Sequence, residues 1–430
     1  MATYYVSDET GDNVNTGLSG SGAKKTLAAA VAVAIGGSGN TVEIIDSNQY
    51  DEGEIVVATN AITVIATGSN TPTLDGDSGN KDEAFEVYVS GCIFQGLTMR
   101  NYDESLIKGA NAAGKNFLLS GCLGYAFGGP QKFGGAAGSS EVHDCIFVAD
   151  TNACINMLAD AKLWCNNSLL ASNGVTGEAV LNSSINYPNV TASFCTIIGS
   201  GYVESSDRYY NLVNQVGTVV NCIVSGSGDG INAASSTYNL VHVNGDPFVE
   251  FAASDYNGTA RSANTGEVTG DPLFVSGSLP GKSADASDHS GNVSASAQNY
   301  NLQRGSPALD AGTPTQLSWP YGEVHVTVDI SGNQRAKAHW SAYSTPPESN
   351  FGVDFTINLY NNTPAQYHRA CCAIPDIGAY EFLWPKLYYY GDLANALEGL
   401  KSVAQPPFSL GAKGPASIRG RSEAYKVEKD

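Results

Sequence analysis

The stretches Leu119-Ser-Gly-Cys-Leu123 and Val142-His-Asp-Cys-Ile-Phe147 are two copies of one short pattern, a cysteine within an apolar, strand-like run. The cysteines in copies of this pattern are separated by 30, 23, 20, 30 and 27 residues, and they are Cys92, Cys122, Cys145, Cys165, Cys195 and Cys222. A recurrence at this spacing indicates a stacked repeat protein. A propeller blade needs about 40 residues, and a leucine-rich repeat needs its own leucine pattern, so neither fits.

Each repeat is therefore predicted to form one coil of short strands that point alternate side chains inward. Successive coils would stack about 4.8 Å apart by parallel pairing, so that like residues lie on top of one another. We expect the six cysteines to form one interior ladder of reduced thiols, because each lies in an apolar strand. The fold predicted is all-β, a right-handed parallel β-helix, and a β-sandwich with chance cysteine spacing is the alternative.

Both ends of such a stack expose strand edges and need caps. At the N-terminus, Thr26-Leu-Ala-Ala-Ala-Val-Ala-Val-Ala-Ile35 predicts a capping helix rather than a signal peptide, since acidic residues precede its lysine pair. The predicted organisation has four parts. They are a strand and capping helix at 1–40, coils at 41–310, a β-rich cap at 311–385, and a helical and extended tail at 386–430.

The formal net charge of the 430 residues is −20, and the charge is unevenly distributed. Residues 386–430 carry seven basic and five acidic side chains, which leaves −22 on the rest of the chain. Such an acidic body repels phosphate backbones, so no nucleic-acid partner is expected. No apolar stretch approaches the roughly 20 residues of a membrane span, so no membrane partner is expected either.

Five stretches of the chain resemble known β-helix proteins, and together they cover roughly residues 3–382. The first resembles the start of pectate-lyase-like β-helix proteins, and the other four, in order, resemble the end of the right-handed β-helix family called choice-of-anchor Q. This resemblance implies the fold and says little about activity, because many activities occur on this fold. The stretches are Tyr4-Tyr-Val-Ser-Asp-Glu-Thr-Gly11, Gly270-Asp-Pro-Leu-Phe274, Tyr300-Asn-Leu-Gln-Arg-Gly-Ser-Pro-Ala-Leu-Asp-Ala-Gly312, Val328-Asp-Ile-Ser-Gly-Asn-Gln-Arg335 and Pro375-Asp-Ile-Gly-Ala-Tyr-Glu381.

The sequence contains no strong set of catalytic residues. The polygalacturonase pattern and the pectate-lyase Arg-x-Pro-x-x-Arg are absent from the sequence. Single acidic residues beside glycine, such as Asp75, Asp77 and Asp229, are typical of tight turns. A calcium site formed by Asp75, Asp77 and Asp82 is the alternative, and Glu204, Asp207 and Arg208 are a further candidate group. We predict no catalytic residues, no metal and no cofactor.

The junction and tail are predicted to anchor the protein to an assembly. Aromatic side chains crowd the junction and basic ones occupy the tail, which suits a partner interface of opposite charge. A cap over the last coil and a merely solvated tail are the alternatives. The predicted anchoring residues are Trp384, Tyr388, Tyr389, Tyr390, Phe408, Arg419 and Arg421.

The function predicted from these features is non-catalytic. An acidic, rigid solenoid made in a reducing cytoplasm is typical of a phage virion surface protein, assembled in the host cytoplasm as a homotrimer. Its partners would be further copies of itself and other virion proteins such as the major capsid protein, with host surface polysaccharide as a further candidate. Two alternatives stay open: a tailspike-type polysaccharide depolymerase, either lyase or glycoside hydrolase, and an adhesin on the bacterial cell surface.

Overall fold

The computed structural model is mostly β-structure. It describes residues 1–68, 70–76, 81–109, 117–127, 131–133, 139–149, 153–157, 162–172, 179–183, 189–200, 202–203, 208–209, 211–251, 260–276, 299–303, 306–309, 311–312, 318–319, 322–323 and 378. In this part of the chain there is one α-helix, Leu27–Ala34, and one 3₁₀ turn, Gly20–Gly22. Nearly all other elements are short parallel strands.

The parallel strands form three stacks, which we call A, B and C in the order in which the chain visits them. Stacks A and C belong to one 17-stranded sheet, and stack B is a separate 10-stranded sheet. Stack A contains Thr3–Val6, Asn40–Ile44, Ile62–Ala66, Cys92–Gln95, Phe117–Ser120, Ser139–His143, Lys162–Asn166, Val190–Ser193 and the second halves of Asn211–Val220 and Asp229–Thr237.

Stack B contains Gln49–Tyr50, Thr73–Asp75, Thr98–Arg100, Leu123–Phe127, Ile146–Ala149, Leu169–Ser172, Thr196–Ser200, Ile223–Ser227, Leu240–Val243 and Val268–Thr269. Stack C contains Ile55–Val57, Glu83–Val87, Ser105–Gly109, Gln131–Phe133, Ile155–Met157, Leu181–Asn182, the first halves of the two long strands, and Phe248–Val249. The long parallel sheets and their repeated order are consistent with the predicted solenoid.

Three antiparallel pairs lie outside the stacks. They are Tyr202–Val203 with Arg208–Tyr209, Phe274–Ser276 with Asn299–Leu302, and Ser318–Trp319 with Gly322–Glu323.

In the seven coils from Cys92–Gln95 onward, a two-residue turn joins stack A to stack B. Its first residue adopts a left-handed backbone conformation, with φ between 48° and 69°, at Gly96, Gly121, Asp144, Asn167, Phe194, Asn221 and Tyr238. Its second residue is buried and turns inward, at Leu97, Cys122, Cys145, Ser168, Cys195, Cys222 and Asn239. These inward residues form the true ladder, with steps of 25, 23, 23, 27, 27 and 17 residues.

The prediction of one ladder through all six cysteines is wrong, although all six are buried and free. Cys92 and Cys165 lie within strands of stack A, where Cys165 pairs with Val142 and Ala192. Ser168 occupies the ladder position of that coil, and its hydroxyl accepts a hydrogen bond from the Cys145 amide at 3.2 Å. A small side chain fits more than one inward position, so cysteine spacing alone did not identify the register.

The N-terminal helix is present where the sequence predicts it. The hydroxyl of Thr26 accepts from the Ala29 amide at 3.2 Å, as an N-cap does. The Glu52 carboxylate also accepts from the amides of Leu27 and Ala28, both at 2.7 Å. Because a helix N-terminus favours negative charge, these contacts hold the helix onto the first strands.

A hairpin near the end of the described chain covers the outer face of stack B. Tyr300, on Asn299–Leu302, is buried against a cluster that includes Val148, Ala171 and Ile198. Gly378 lies close by, and its amide donates to the Asn221 carbonyl at 2.8 Å. With φ at 99° and Ile223 Cδ1 only 2.6 Å from where a Cβ would be, this position requires glycine.

Two of the predicted parts fall outside the described residues, namely most of the cap at 311–385 and the tail at 386–430. The four-part division of the chain stays a prediction. None of the helices in the described part of the chain has the length and apolarity that a bilayer crossing requires.

Candidate functional site

The most unusual polar group lies on stack C, at its corner with stack B. It consists of Glu83, Glu104, Ser105 and Lys108, and we call it the Glu83 cluster. Glu83 begins one strand of stack C and Ser105 begins the next, and the two residues are paired in register. The amides of Glu104 and Ser105 both donate to the Asp82 carbonyl, at 2.9 and 3.0 Å. Each coil thus follows the path of the coil before it and brings these side chains together.

Lys108 connects two carboxylates that lie in unlike surroundings. Its Nζ is 3.0 Å from Glu83 Oε1 and 3.7 Å from Glu104 Oε2. These two oxygens are therefore no more than about 7 Å apart, an upper bound that is compatible with the roughly 5–9.5 Å between the paired carboxyls of glycoside hydrolases. The Glu83 side chain is 6% exposed, whereas that of Glu104 is 41% exposed.

Burial and hydrogen bonding change the pKa values of two residues in the cluster, Glu83 and Lys108. It raises the pKa of Glu83, and the hydrogen bond and charge of Lys108 lower that pKa only in part. The hydrogen bond to Glu83 raises the pKa of Lys108, which therefore stays protonated at neutral pH. A buried carboxyl of raised pKa beside an exposed carboxyl is an arrangement that acid–base catalysis uses.

Two polar atoms of the cluster are buried without a hydrogen-bond partner in the described part of the chain. They are Glu83 Oε2 and Ser105 Oγ. Leaving such an atom unpaired costs about 1–3 kcal/mol, so buried polar groups normally find partners. A hydroxyl group that both donates and accepts would suit this pair of atoms.

A second polar group, on the outer face of stack B, has a structural explanation. Arg100 Nε lies 2.6 Å from Asp75 Oδ2, and Asn101 Nδ2 donates to Asp75 Oδ1 at 3.0 Å. Arg100 also donates to Gln49 Oε1 at 2.7 Å, so it connects three successive coils. Burial alone would lower the pKa of Arg100, but its hydrogen bonds to Tyr125 and Asp75 raise it.

This network bears on the calcium alternative. Both oxygens of Asp75 are engaged by Arg100 and Asn101. Asp77 is outside the described residues. Within the described ranges, no group of three or more histidine, cysteine or acidic side chains could hold a metal ion.

Ser120, His143 and Asp144 lie together on stack A but do not form a catalytic triad. Ser120 Oγ and Asp144 Oδ2 are each 3.3 Å from the same ring nitrogen, His143 Nδ1. A triad needs the serine on one nitrogen and the carboxylate on the other, so that the ring can pass a proton between them. Asn167 Nδ2 also donates to Asp144 at 2.5 Å, which favours a structural turn.

Asp229 begins the strand Asp229–Thr237 rather than lying in the tight turn that the sequence predicts, and its side chain contacts the next coil. Its Oδ1 accepts from the Asp246 amide at 2.8 Å, and burial raises its pKa. Glu204 and Asp207 are outside the described residues, and of Arg208 only the strand Arg208–Tyr209 is described. The seven predicted anchoring residues also lie outside, namely Trp384, Tyr388, Tyr389, Tyr390, Phe408, Arg419 and Arg421.

Sequence reasoning did not single out the Glu83 cluster. Its members occur in Glu83-Ala-Phe-Glu-Val87 and Glu104-Ser-Leu-Ile-Lys108, which are 21 residues apart and share no motif. The one signal in the sequence is that two strands, one coil apart, have a glutamate at their start. Glu83 is the first residue of one strand, and Glu104 directly precedes the other. Without the register, that feature cannot be distinguished from ordinary surface charge.

No protein-family model and no curated protein matches the chain. Several solved structures align with it at low identity. A GH136 lacto-N-biosidase from Eubacterium ramulus, as its selenomethionine derivative, is 12% identical over 56% of this chain and 56% of that one, with a TM-score of 0.37. The chain thus spans little more than half the length of that protein.

Two further structures have similar or lower scores. A pectin methylesterase from Aspergillus niger is 15% identical over 61% of this chain and 91% of that one, with a TM-score of 0.35. A rhamnogalacturonan lyase is 12% identical over 66% of each chain, with a TM-score of 0.21. At these TM-scores the similarities identify neither the family nor the activity of this chain.

Proposed function

We propose that this chain is a right-handed parallel β-helix that hydrolyses glycosidic bonds in a carbohydrate polymer, with the Glu83 cluster as its active site. One observation carries the proposal. Lys108 holds a buried carboxyl of raised pKa and an exposed carboxyl within about 7 Å, and the buried one keeps an unpaired oxygen. This proposal adopts the depolymerase alternative and replaces the non-catalytic interpretation of the sequence.

The roles follow from the two environments. Glu83, protonated, would donate its proton to the glycosidic oxygen as the bond from that oxygen to the anomeric carbon breaks. Glu104, the exposed carboxylate, would take a proton from the water whose oxygen forms the new bond to the anomeric carbon. Hydrolysis thus consumes one water and returns both carboxyls to their starting states after proton exchange with solvent.

Elimination by a lyase fits these residues less well. It needs a base that can remove a proton from a sugar carbon, often a lysine or arginine of lowered pKa. Lys108 and Arg100 both have raised pKa values and stay charged. A protonated cation cannot act as a base.

The test uses the full chain and the variants Glu83→Gln and Glu104→Gln. Reducing ends released from a panel of neutral, amino-sugar and uronic-acid polysaccharides would be measured. Loss of a general acid or base lowers kcat by about 100-fold to 10,000-fold, so both variants should be nearly inactive. Glu43→Gln, a half-buried glutamate on stack A, is the matched control and should keep full activity. A Glu83→Gln enzyme with wild-type kcat would overturn the assignment.

Location and assembly stay proposals. The acidic body and basic tail support a homotrimer within a virion that contacts a major capsid protein, with the tail as the attachment. Host surface polysaccharide would then be the polymer that the Glu83 cluster acts on. Attachment to a bacterial cell surface is the alternative location.

A further inference from the structure

Four asparagines in consecutive coils of stack C form an amide ladder. Asn156 pairs in register with Asn182, and Asn182 pairs with Asn214. Asn232 follows Ile231, the register partner of Val213, and continues the ladder through its side chain. Each Nδ2 donates to the Oδ1 of the asparagine one coil earlier, at 3.3, 3.0 and 3.2 Å in that order. Asn214 and Asn232 are buried, whereas Asn156 and Asn182 are half-buried.

The ladder has a direction. Every amide points its N–H group toward the N-terminal coils, so the run of dipoles ends at Asn156. The Oδ1 of Asn156 accepts from Asn182, while its own NH₂ group makes no hydrogen bond in the described part of the chain. An amide carries two donors, so Asn156 presents both to a ligand. The three asparagines behind it hold the side chain in one orientation.

Asn156 lies in the same register column as the Glu83 cluster. It pairs with Lys132, and Lys132 pairs with Lys108. Two coil spacings of about 4.8 Å place Asn156 about 10 Å along the stacking direction from Lys108. Lys108 and Asn156 are both partly exposed on this face.

We propose that Asn156 is a substrate-positioning residue, which binds an uncharged glycan lying along stack C in the stacking direction. This inference rests on the proposed function. The N–H groups of the Asn156 side chain would donate to a hydroxyl or carbonyl oxygen of a sugar unit beyond the bond that is cleaved. Amides of no formal charge suit such a glycan, whereas the net charge of −20 repels a polyanion.

The length of the oligosaccharide substrate distinguishes a positioning role of Asn156 from a purely structural role. Kinetics of Asn156→Ala would be measured on the cleaved panel glycan as two-unit and six-unit oligosaccharides. One lost hydrogen bond should raise KM for the six-unit substrate about threefold to tenfold and leave its kcat unchanged. The two-unit substrate should be unaffected, because it is too short to reach Asn156.

The variant Asn156→Asp keeps the shape of the side chain but not its donors, and it should show the same rise in KM. Gln95→Ala, an exposed amide on stack A, is the control.

The outcomes distinguish the two proposals. Cleavage with the same KM in Asn156→Ala overturns the positioning role alone, and faster cleavage of a polyuronate than of any neutral glycan overturns the uncharged class. If the wild type cleaves nothing, calorimetric titration with six-unit neutral oligosaccharides decides. Binding that weakens in Asn156→Ala then overturns hydrolysis and keeps the positioning role, and no binding overturns both.

Discussion

At the scale of single residues, the proposed chemistry depends on how burial changes the pKa of one of two similar carboxyls. Glu83 and Glu104 contact the same ammonium, yet only Glu83 is buried. Water stabilises the charge of an exposed carboxylate, whereas burial favours the neutral acid. Lys108 opposes that shift in Glu83 without cancelling it. The proposed roles of acid and base therefore depend on the positions of the two residues, since both are glutamates.

This balance predicts a pH dependence. If Glu83 must be protonated, kcat/KM should fall as pH rises through its pKa, which lies above the ordinary glutamate value of about 4.3. Lys108 lowers that pKa, so Lys108→Met should move this falling limb to higher pH. Lys25→Met, an exposed lysine near the N-terminus, should leave the limb in place. A limb that moves to lower pH in Lys108→Met would contradict the assignment of Glu83 as the acid.

At the scale of elements, the turn from stack A to stack B joins the coils by side chains as well as by strands. The Cys222 amide donates to Asn239 Oδ1 at 2.8 Å. Asn239 Nδ2 donates in turn to the Val219 carbonyl at 3.0 Å and the Ser236 hydroxyl at 2.9 Å. At these ladder positions, a side chain of one coil therefore accepts a hydrogen bond from a backbone amide of the coil before it.

Asn239→Ala should be strongly destabilising, because it leaves the buried Cys222 amide and Val219 carbonyl unpaired. We expect a loss of about 2–4 kcal/mol in the free energy of unfolding, measured by urea titration. Ser235→Ala, an exposed change on Asp229–Thr237, should stay within about 0.5 kcal/mol. Equal midpoints for the two variants would contradict the role given to the ladder.

At the scale of the whole molecule, the outer face of stack B changes character along its length. It is polar in the early coils, where Arg100 lies, and apolar at Val148 and Ala171. The hairpin that contains Tyr300 covers the apolar part, with Phe274 and Tyr300 packed edge to face at 5.3 Å. Two of the stretches that resemble the choice-of-anchor Q family, Gly270-Asp-Pro-Leu-Phe274 and the one that begins at Tyr300, thus contribute to the strands that cover the coils.

Tyr300→Ala should loosen this cover without unfolding the stacks. We expect amides around Phe274–Ser276 and Asn299–Leu302 to exchange faster with deuterium, and binding of an apolar dye to increase. The amides of stack A up to Thr237 should keep their protection. Phe251→Ala, an exposed aromatic change, should alter neither measurement. Uniform loss of protection in Tyr300→Ala would show that the cover and the coils unfold together.

What the sequence alone determined is local. The spacing of short apolar strands and turn residues predicts parallel stacking, and the apolar run after Thr26 predicts the helix Leu27–Ala34. Both predictions are possible because the periodicity of a strand or a helix depends on residues close together in the sequence. Tertiary structure alone decided which residues of different coils meet. Loops of unequal length set the register, which placed Ser168 rather than Cys165 in the ladder and brought Glu83 to Lys108. Contacts between residues some 25 positions apart depend on that register, and no local pattern encodes it.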